Sequence, residues 1–230
     1  MKAFSLLNQG NEVECPVCTK HYKKFLPYGR IARENALCPN CLALERHRLM
    51  WLFLKEKTNF FSKKLKVLHV APEHCFIDRF EALPNLEYIT ADIESPLAKV
   101  KMDIHSIPFP ENTFDVIFCN HVLEHVDDDI LACSEFNRVL KQDGWGILQS
   151  PVYKLEKTVE DKSITDPAER EKLFGQRDHV RKFGLDYAER LRKSGLLIEE
   201  NQFVKELPQD KVKRYALAPD EIIFVCRKGV

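Results

Sequence analysis

Two pairs of cysteines near the amino terminus have the spacing of metal ligands. They are Cys15-Pro-Val-Cys18 and Cys38-Pro-Asn-Cys41, separated by nineteen residues. Each Cys-x-x-Cys forms a tight turn that directs two thiolates at one point, and two such turns complete a tetrahedral zinc site. Chance pairs and a redox pair are the alternatives, which the matching spacing disfavours. We therefore predict a structural zinc ribbon over residues 1–45, with the ligands Cys15, Cys18, Cys38 and Cys41.

The segment around these cysteines has a modest basic bias. Residues 1–50 contain eight lysines and arginines against four glutamates, a formal charge of +4, and Tyr22, Phe25 and Tyr28 lie among them. A basic surface with aromatic side chains can bind RNA through phosphates and base stacking. A solvated surface on a ribbon that only shapes a substrate cleft would have the same composition, so both interpretations stay open.

The composition is that of an ordinary globular protein. The chain has 230 residues, of which 35 are Lys or Arg and 35 are Asp or Glu, so the formal net charge is zero and the whole chain is not an obvious polyanion binder. No apolar run approaches the ~20 residues that cross a bilayer, and the amino terminus lacks the pattern of a signal peptide. We expect a cytoplasmic protein with reduced thiols and no membrane partner.

From residue 65 onward, short apolar strands alternate with helical stretches. We predict strands near 66–70, 87–91, 99–102, 114–119, 144–149, 197–205 and 221–227, and helices near 74–82, 128–141 and 184–194. This alternation indicates an α/β fold with a Rossmann-like, doubly wound, mostly parallel seven-stranded sheet. The predicted domains are the ribbon at 1–45, a connecting helix and linker at 46–64, and an α/β domain at 65–230 with an insertion or lid at about 151–180.

Polar residues follow several of these predicted strands. In a doubly wound sheet the ligand lies beyond the carboxyl ends of the strands. Asp92 follows the second strand and lies 21 residues after Ala71, which is close to the ~20-residue spacing of a carboxylate that binds ribose hydroxyls. An acid after a strand is also a common cap residue. The prediction therefore rests on the whole set of strand ends: Ala71-Pro72-Glu73, Asp92, Asp103 and Asn120-His121.

Residues 65–150 resemble class I S-adenosylmethionine-dependent methyltransferases, in particular the type 11 group. The best stretch is MDIHSIPFPENTFDVIFCNHVLEHVDDDILACSEFNRVLKQDGWGILQSP at 102–151. There an acidic residue, PFP…FD, an apolar strand, LEH, a helix and a glycine-bearing turn follow in family order. The segment FGQRDHVRKFG at 174–184 resembles one seen in a ribbon-bearing subset of uncharacterised methyltransferases.

The resemblance implies S-adenosylmethionine as cofactor and gives roles to the strand ends. Asp92 would bind the ribose hydroxyls, and Asp103 would accept from the adenine amino group. Ile93 and Ile104 would cover the adenine. The methionine portion would be lined by Asn120, His121, Ala71, Pro72 and Glu73.

One departure from the family pattern concerns the first loop. The motif's three glycines, which allow close backbone approach, are replaced here by Ala71, Glu73 and Cys75. One hypothesis is that the Glu73 carboxylate pairs with the cofactor's ammonium group instead. The alternative is that Glu73 is only a first-turn residue of the next helix.

Candidate residues for the acceptor side are few. Methyl transfer depends mainly on positioning, so a general base is needed only for an acceptor that must lose a proton; His121 and His125 are the candidates. Arg177, His179 and Arg181 could bind an anionic substrate or form a charged lid loop. The run Asp127 to Asp129 is predicted to cap the next helix.

Together these observations predict methyl transfer from S-adenosylmethionine to an unidentified small molecule, RNA or protein, with the ribbon assisting substrate recognition. The alternative is a non-enzymatic RNA- or protein-binding module with a degenerate methyltransferase domain. A nicotinamide-dependent oxidoreductase is disfavoured, because its pyrophosphate needs a glycine-rich turn at a helix N-terminus.

Overall fold

The computed structural model describes residues 8–229; residues 1–7 of the predicted ribbon and residue 230 lie outside the described residues. In chain order the elements are β1 (Val13–Cys15), β2 (Lys20–Tyr22), β3 (Leu26–Tyr28), β4 (Arg33–Leu37), α1 (Glu45–Lys57), β5 (Leu65–Val70), α2 (Ile77–Glu81), β6 (Leu86–Asp92), β7 (Val100–Lys101), β8 (Phe114–Asn120), α3 (Asp129–Val139), β9 (Leu140–Gln149), β10 (Val159–Glu160), α4 (Pro167–Phe174), β11 (Arg181–Lys182), α5 (Tyr187–Arg192), β12 (Leu197–Asn201), a 3₁₀ turn (Phe203–Glu206), α6 (Gln209–Arg214) and β13 (Ile223–Arg227).

The packing divides the chain into two compact units that alternate along the sequence. The first unit comprises the chain up to Lys64 together with Glu73–Asn85 and Gln202–Ile222, and the second comprises Leu65–Pro72, Leu86–Asn201 and the chain from Ile223 onward. The sequence predicts consecutive segments instead. Helical periodicity does not reveal which helices pack together, and in the first unit Trp51 of α1 stacks on Phe76 and Phe80 around α2.

The second unit is built on a seven-stranded sheet in the order β12-β13-β9-β8-β5-β6-β7. The five strands from β9 to β7 are parallel, whereas β13 and β12 join as antiparallel strands. This confirms the predicted mostly parallel, Rossmann-like sheet. The central strands are buried along nearly their whole length, as expected for a parallel sheet covered on both faces.

Local sequence signals account for several element ends. Asp128 caps α3 by accepting a hydrogen bond of 2.9 Å from the Leu131 backbone N–H, which confirms the predicted capping role of this acidic run. The region expected as a lid contains β10 and α4. Helix α4 begins with a capping Asp166 before Pro167 and ends at Gly175, whose φ of 103° is left-handed. The predicted strand at 197–205 ends at Asn201, and a 3₁₀ turn follows.

Within the first unit, a buried arginine joins the ribbon to the last helix. Arg48 of α1 is fully buried. Its guanidinium donates hydrogen bonds of 2.7–2.9 Å to four carbonyl oxygens, those of Ala36, Ala43, Tyr215 and Ala216. Its Cζ lies 4.3 Å from the centre of the Phe25 ring. Burial lowers the pKa of Arg48, and negative charge on the neighbouring cysteine sulfurs opposes that shift.

Among the described residues, none of the helices has both the length and the apolar character required to cross a bilayer.

We predict that Arg48→Met lowers the free energy of unfolding by about 3 kcal/mol or more, because four buried carbonyls lose their donor. Arg177→Met, at an exposed position, is the matched control and should change it by less than about 0.5 kcal/mol. Urea denaturation of both variants and of the parent protein measures the two changes. Equal stability of the two variants would contradict the structural role of Arg48.

Candidate active site

Strand register brings the predicted cofactor residues of the second unit to one edge of the sheet. Val70, the last residue of β5, pairs with Ala91 of β6 on one side and with Cys119 of β8 on the other. The residues that directly follow Val70, Ala91 and Cys119 are Ala71, Asp92 and Asn120, respectively. Because the three strands are parallel, all three residues lie at the carboxyl edge, where ligands bind in doubly wound sheets.

Two residues at this edge have left-handed backbone conformations. Ala71 has φ of 46° and His121 has φ of 57°, and neither is glycine. Both are anchored, because the Ala71 N–H donates to the Ala91 carbonyl at 2.9 Å and the His121 N–H donates to the Gln149 carbonyl at 2.7 Å. A left-handed alanine costs roughly 1–2 kcal/mol. The first loop therefore keeps a backbone conformation suited to glycine although the glycine is absent.

Asp92 uses one carboxylate oxygen to shape its own loop. Oδ1 accepts from the backbone N–H groups of Glu94 at 2.8 Å and Ser95 at 2.7 Å. Oδ2 receives no hydrogen bond from the described residues, so it can accept from a ligand. The next side chain, Ile93, is 55% exposed and offers an apolar surface beside the carboxylate.

Asp103 has a similar arrangement after β7. Its Oδ1 accepts from the backbone N–H of His105 at 2.9 Å and pairs with His105 Nδ1 at 2.8 Å. The backbone hydrogen bond and the imidazole hold the pKa of Asp103 below its ordinary value. The side chain is exposed, whereas that of the following residue, Ile104, is buried. Only Ile93 of the two predicted adenine-covering residues is therefore open to a ligand before any rearrangement.

A buried carboxylate lies just beyond β8. Glu124 is 2% exposed. Its Oε2 accepts a hydrogen bond of 2.8 Å from Ser150 Oγ, and its Oε1 lies 3.3 Å from His121 Nδ1. Burial acts to raise the pKa of Glu124, but the hydrogen bond and charge of His121 outweigh it, so the pKa lies below its usual range. The contact places Glu124 where it can orient the ring of His121.

Two further histidines meet beside Glu124. The rings of His125 and His179 are 4.7 Å apart and nearly perpendicular. His125 Nδ1 pairs with Asp178 Oδ2 at 3.1 Å, and His179 Nδ1 lies 3.3 Å from the Phe174 carbonyl oxygen. His179 is fully buried, and its Nε2 has no hydrogen-bond partner among the described residues.

The three residues predicted to bind an anionic substrate have different environments. His179 belongs to the buried cluster, whereas Arg177 is exposed and its substrate role stays a prediction. Arg181 is buried, and all its N–H groups point at protein oxygens. Its partners are the carbonyls of Leu123, Val126 and Asp127 and the carboxylates of Asp129 and Glu160. These bonds make Arg181 a framework residue that fixes the segment after β8, with no donor left for a substrate.

Glu73, the proposed partner of the cofactor's ammonium group, belongs to the first unit. There its Oε1 lies 3.7 Å from His47 Nε2, and both side chains are largely buried. His47 also accepts a hydrogen bond from the backbone N–H of Leu44 at 3.1 Å and so helps to begin α1. A contact between Glu73 and the cofactor stays a prediction.

The four ribbon cysteines come together in the first unit. The sulfurs of Cys15 and Cys41 are 3.6 Å apart, as are those of Cys18 and Cys38, and all four lie within 4.8 Å of one another. A disulfide would need ~2.05 Å. Four thiolates around one zinc at ~2.3 Å lie ~3.8 Å from each other. The cluster therefore fits a tetrahedral zinc site.

Sequence reasoning missed three residues of the cluster beside His121. The resemblance includes Glu124 only within its LEH motif, and no sequence pattern gives a role to Ser150 or Asp178. The adjacent pairs Glu124-His125 and Asp178-His179 are the available signal, and Glu73-His74 shows the same pattern outside the cluster. What brings the pairs together is a tertiary contact, the hydrogen bond of 2.9 Å from the Val180 N–H to the Glu124 carbonyl.

Comparison with known proteins finds similarity in the central part of the chain. Residues 66–148 match a family model described as a methyltransferase domain. An uncharacterised methyltransferase of Schizosaccharomyces pombe, C1B3.06c, is 32% identical over 81 residues, which are 35% of this chain and 29% of that protein. The chain spans less than a third of the length of the curated relatives it matches.

Solved structures share the fold at low sequence identity. An O-methyltransferase from a trans-AT PKS multienzyme of Brevibacillus brevis, in complex with S-adenosylhomocysteine, has a TM-score of 0.51 and 16% identity over 77% of this chain and 70% of that one. The [4+2]-cyclase SpnF has a TM-score of 0.52 and 17% identity over 80% of this chain and 81% of that one. The fold is thus the Rossmann-like fold of methyltransferases. Because a cyclase shares it, function must be argued from the site.

We predict that Ala71→Gly leaves the free energy of unfolding unchanged or raises it by up to about 1 kcal/mol, because relief of the left-handed strain offsets the added chain entropy. Ala91→Gly, at the buried and extended partner position in β6, should lower it by about 1 kcal/mol or more. Chemical denaturation compares the two variants. If Ala71→Gly lowers the free energy of unfolding as much as Ala91→Gly does, the backbone at Ala71 is not strained.

Proposed function

We propose that this protein transfers a methyl group from S-adenosylmethionine to an acceptor that has yet to be identified. The observation that carries the proposal is the pair of carboxylates after β6 and β7. Asp92 and Asp103 each commit one oxygen to their own loop and leave the other without a hydrogen bond from the described residues. Both lie at the carboxyl edge of a methyltransferase-type sheet, within the matched domain.

In this proposal the second unit binds the ribose, the adenine and the methionine portion of the cofactor. Asp92 Oδ2 accepts from the ribose hydroxyls, Asp103 accepts from the adenine amino group, and Ile93 covers the adenine. The left-handed turn at Ala71 lets the loop backbone approach the methionine portion, which Asn120 and His121 line. Nothing in this arrangement requires a phosphate-binding glycine loop, because S-adenosylmethionine has no phosphate.

The chemistry comes from the sulfonium of the cofactor, and the protein holds methyl and acceptor in line. An acceptor that must lose a proton would need a base. His121 is the better placed of the two predicted candidates, because its Nδ1 lies 3.3 Å from Glu124 Oε1 and its side chain is 29% exposed. An imidazole held in this way by a carboxylate is a competent general base.

We further propose that the four cysteines bind a structural zinc ion and that the ribbon takes part in substrate recognition. Contact with RNA would rest on phosphate binding by exposed lysines such as Lys23 and Lys24. Stacking is more restricted than the sequence suggests. Tyr22 and Phe25 are buried in the ribbon core, and Tyr28 alone of the three interleaved aromatic side chains is exposed.

We predict that Asp92→Asn weakens binding of S-adenosylmethionine and S-adenosylhomocysteine about 10- to 100-fold. The substitution keeps an oxygen for the loop bonds but replaces the acceptor of two ribose hydrogen bonds, which are worth ~1.5–3 kcal/mol when made to a charged group. Isothermal titration calorimetry with both ligands measures the change.

Asp143→Asn is the matched control, because Asp143 is exposed near the amino end of β9, away from the carboxyl edge. It should bind both ligands like the parent protein. Failure of the parent protein to bind either sulfur nucleotide would overturn the proposal in favour of a non-enzymatic module. Equal affinity of the two variants would show that the cofactor does not bind at Asp92.

We predict that Cys41→Ala removes one zinc per chain, because a four-cysteine site that loses one thiolate no longer holds the ion through purification. Cys75→Ala is the control, since Cys75 is a buried cysteine of the same unit outside the cluster. Elemental analysis of protein purified without chelator measures the ratio. The same zinc content in Cys41→Ala and in the parent protein would show that the four cysteines do not form a zinc site.

A further inference from the structure

We infer that the second unit contains its own metal site, in which Glu124, His125 and His179 bind a divalent transition metal of the zinc type. One potential ligand atom from each residue lies within 4.8 Å of the other two. Glu124 and His179 are buried and His125 is half-buried, so the three groups converge at a largely enclosed position. This inference does not rest on the proposed methyl transfer.

Both imidazoles are held in the way that metal-binding histidines are held. A metal-ligating histidine nearly always donates its other ring N–H to a carboxylate or a backbone carbonyl, which fixes the tautomer and directs the bare nitrogen at the metal. His125 Nδ1 pairs with Asp178, and His179 Nδ1 faces the Phe174 carbonyl. Each ring therefore presents Nε2 as its acceptor atom.

The Nε2 atom of His179 is the strongest indication that a ligand binds here. Its Nε2 is buried and has no hydrogen-bond partner among the described residues, which is a costly arrangement for a polar atom. The nearby ring of His125 is perpendicular to it and gives no hydrogen bond to that atom. A metal ion held by His179, His125 and Glu124, whose potential ligand atoms lie within 4.8 Å of one another, would satisfy this nitrogen.

The donor set indicates which metal would bind. Two imidazoles and one carboxylate form the donor set, and imidazole ligands favour Zn²⁺ over Mg²⁺ or Ca²⁺. Zinc sites with two histidines and one glutamate have an open fourth position that accepts water or a substrate oxygen. The ribbon cluster differs because four protein sulfurs fill it.

The framework around the three ligands is rigid. Arg181 donates to the carbonyls of Leu123 and Val126, which flank the Glu124-His125 pair in sequence. The Val180 N–H donates to the carbonyl of Glu124 itself. These bonds hold the segment that carries His179 against the segment that carries the other two ligands, so the site is preorganised for an ion.

The position of the cluster connects it to the acceptor side of the site. Glu124 also contacts His121 and Ser150, which directly follow the carboxyl ends of β8 and β9. An ion at this position would place its open coordination site near the edge of the sheet where ligands bind. The acceptor class that such an ion favours is one with an oxygen atom, because a divalent cation lowers the pKa of a bound hydroxyl.

The test is the zinc content of the protein, purified without chelator and dialysed against a small excess of zinc. The parent protein should hold about two zinc ions per chain, one in each site. Glu124→Gln, His125→Asn and His179→Asn should each hold about one, whereas Cys41→Ala should lose the other ion. His74→Asn, at an exposed histidine, should keep both and is the matched control.

A Co²⁺ titration of the parent and His179→Asn proteins distinguishes the sites spectroscopically, with zinc left in the ribbon and the Glu-His-His site first emptied with a weak chelator. In the parent protein, cobalt entering the Glu-His-His site gives visible d–d absorption without a thiolate charge-transfer band, and this signal should be absent in His179→Asn. Far-UV circular dichroism and retention of the ribbon zinc show that the variant is folded. Asp178→Asn should keep the site but weaken its zinc affinity ~10- to 100-fold, as expected for a residue that orients a ligand.

Parental zinc affinity in Asp178→Asn would contradict the orienting role of Asp178. Two results would overturn the metal site itself: one zinc per chain in the parent protein, or a second zinc that survives both histidine substitutions. In each case the cluster would be a hydrogen-bonded carboxylate–histidine group without a metal. The binding of S-adenosylmethionine to the parent protein is measured separately. Failure of the metal site and failure of the proposed function are therefore distinguishable.

Discussion

The parallel pairing of β5 with β6 on one side and β8 on the other is the constraint on which the candidate active site depends. It aligns Val70 with Ala91 and with Cys119, so the residues that follow all emerge at one edge. A shift of one residue in either pairing would turn alternate side chains to the opposite face of the sheet. Buried side chains on these strands, such as Leu68 and Ile117, oppose any such shift.

Around this edge, a buried ionic framework fixes the loops that carry polar groups. Asp129, at the start of α3, is fully buried and binds the guanidinium groups of both Arg181 and Arg190. Pairing with Asp129 raises the pKa of Arg190 above its usual value. Such an ionic cluster gives little net stability but defines one arrangement of its surroundings. Here it sets the positions of Glu124, His125 and His179, because Arg181 spans both segments.

The fold, and the alignment of the predicted cofactor residues at one edge of the sheet, were largely predictable from sequence. Asp92 and Asp103 stand out because short apolar strands end directly before them, and parallel strands have their ends at one edge of a sheet. The capping role of Asp128 follows from local hydrogen-bond chemistry alone. Each of these inferences depends on residues that are close in sequence or on a regular sheet.

The parts that sequence did not reveal depend on long-range packing. Arg181 resembled a surface group for binding an anion, but its bonds to Leu123, Val126 and Asp127 bury it, and these contacts span more than fifty residues. Tyr22 and Phe25 resembled stacking residues, but they form the ribbon core. The convergence of His179 with Glu124 is likewise a tertiary contact between segments that are not neighbours in sequence.

The central claim is that the carboxyl edge of this sheet binds S-adenosylmethionine, and a crystal structure of the complex with S-adenosylhomocysteine tests it most directly. We expect the ribose hydroxyls within hydrogen-bonding distance of Asp92 Oδ2 and the adenine amino group near Asp103. A ligand bound elsewhere, or with its ribose away from Asp92, would contradict the account.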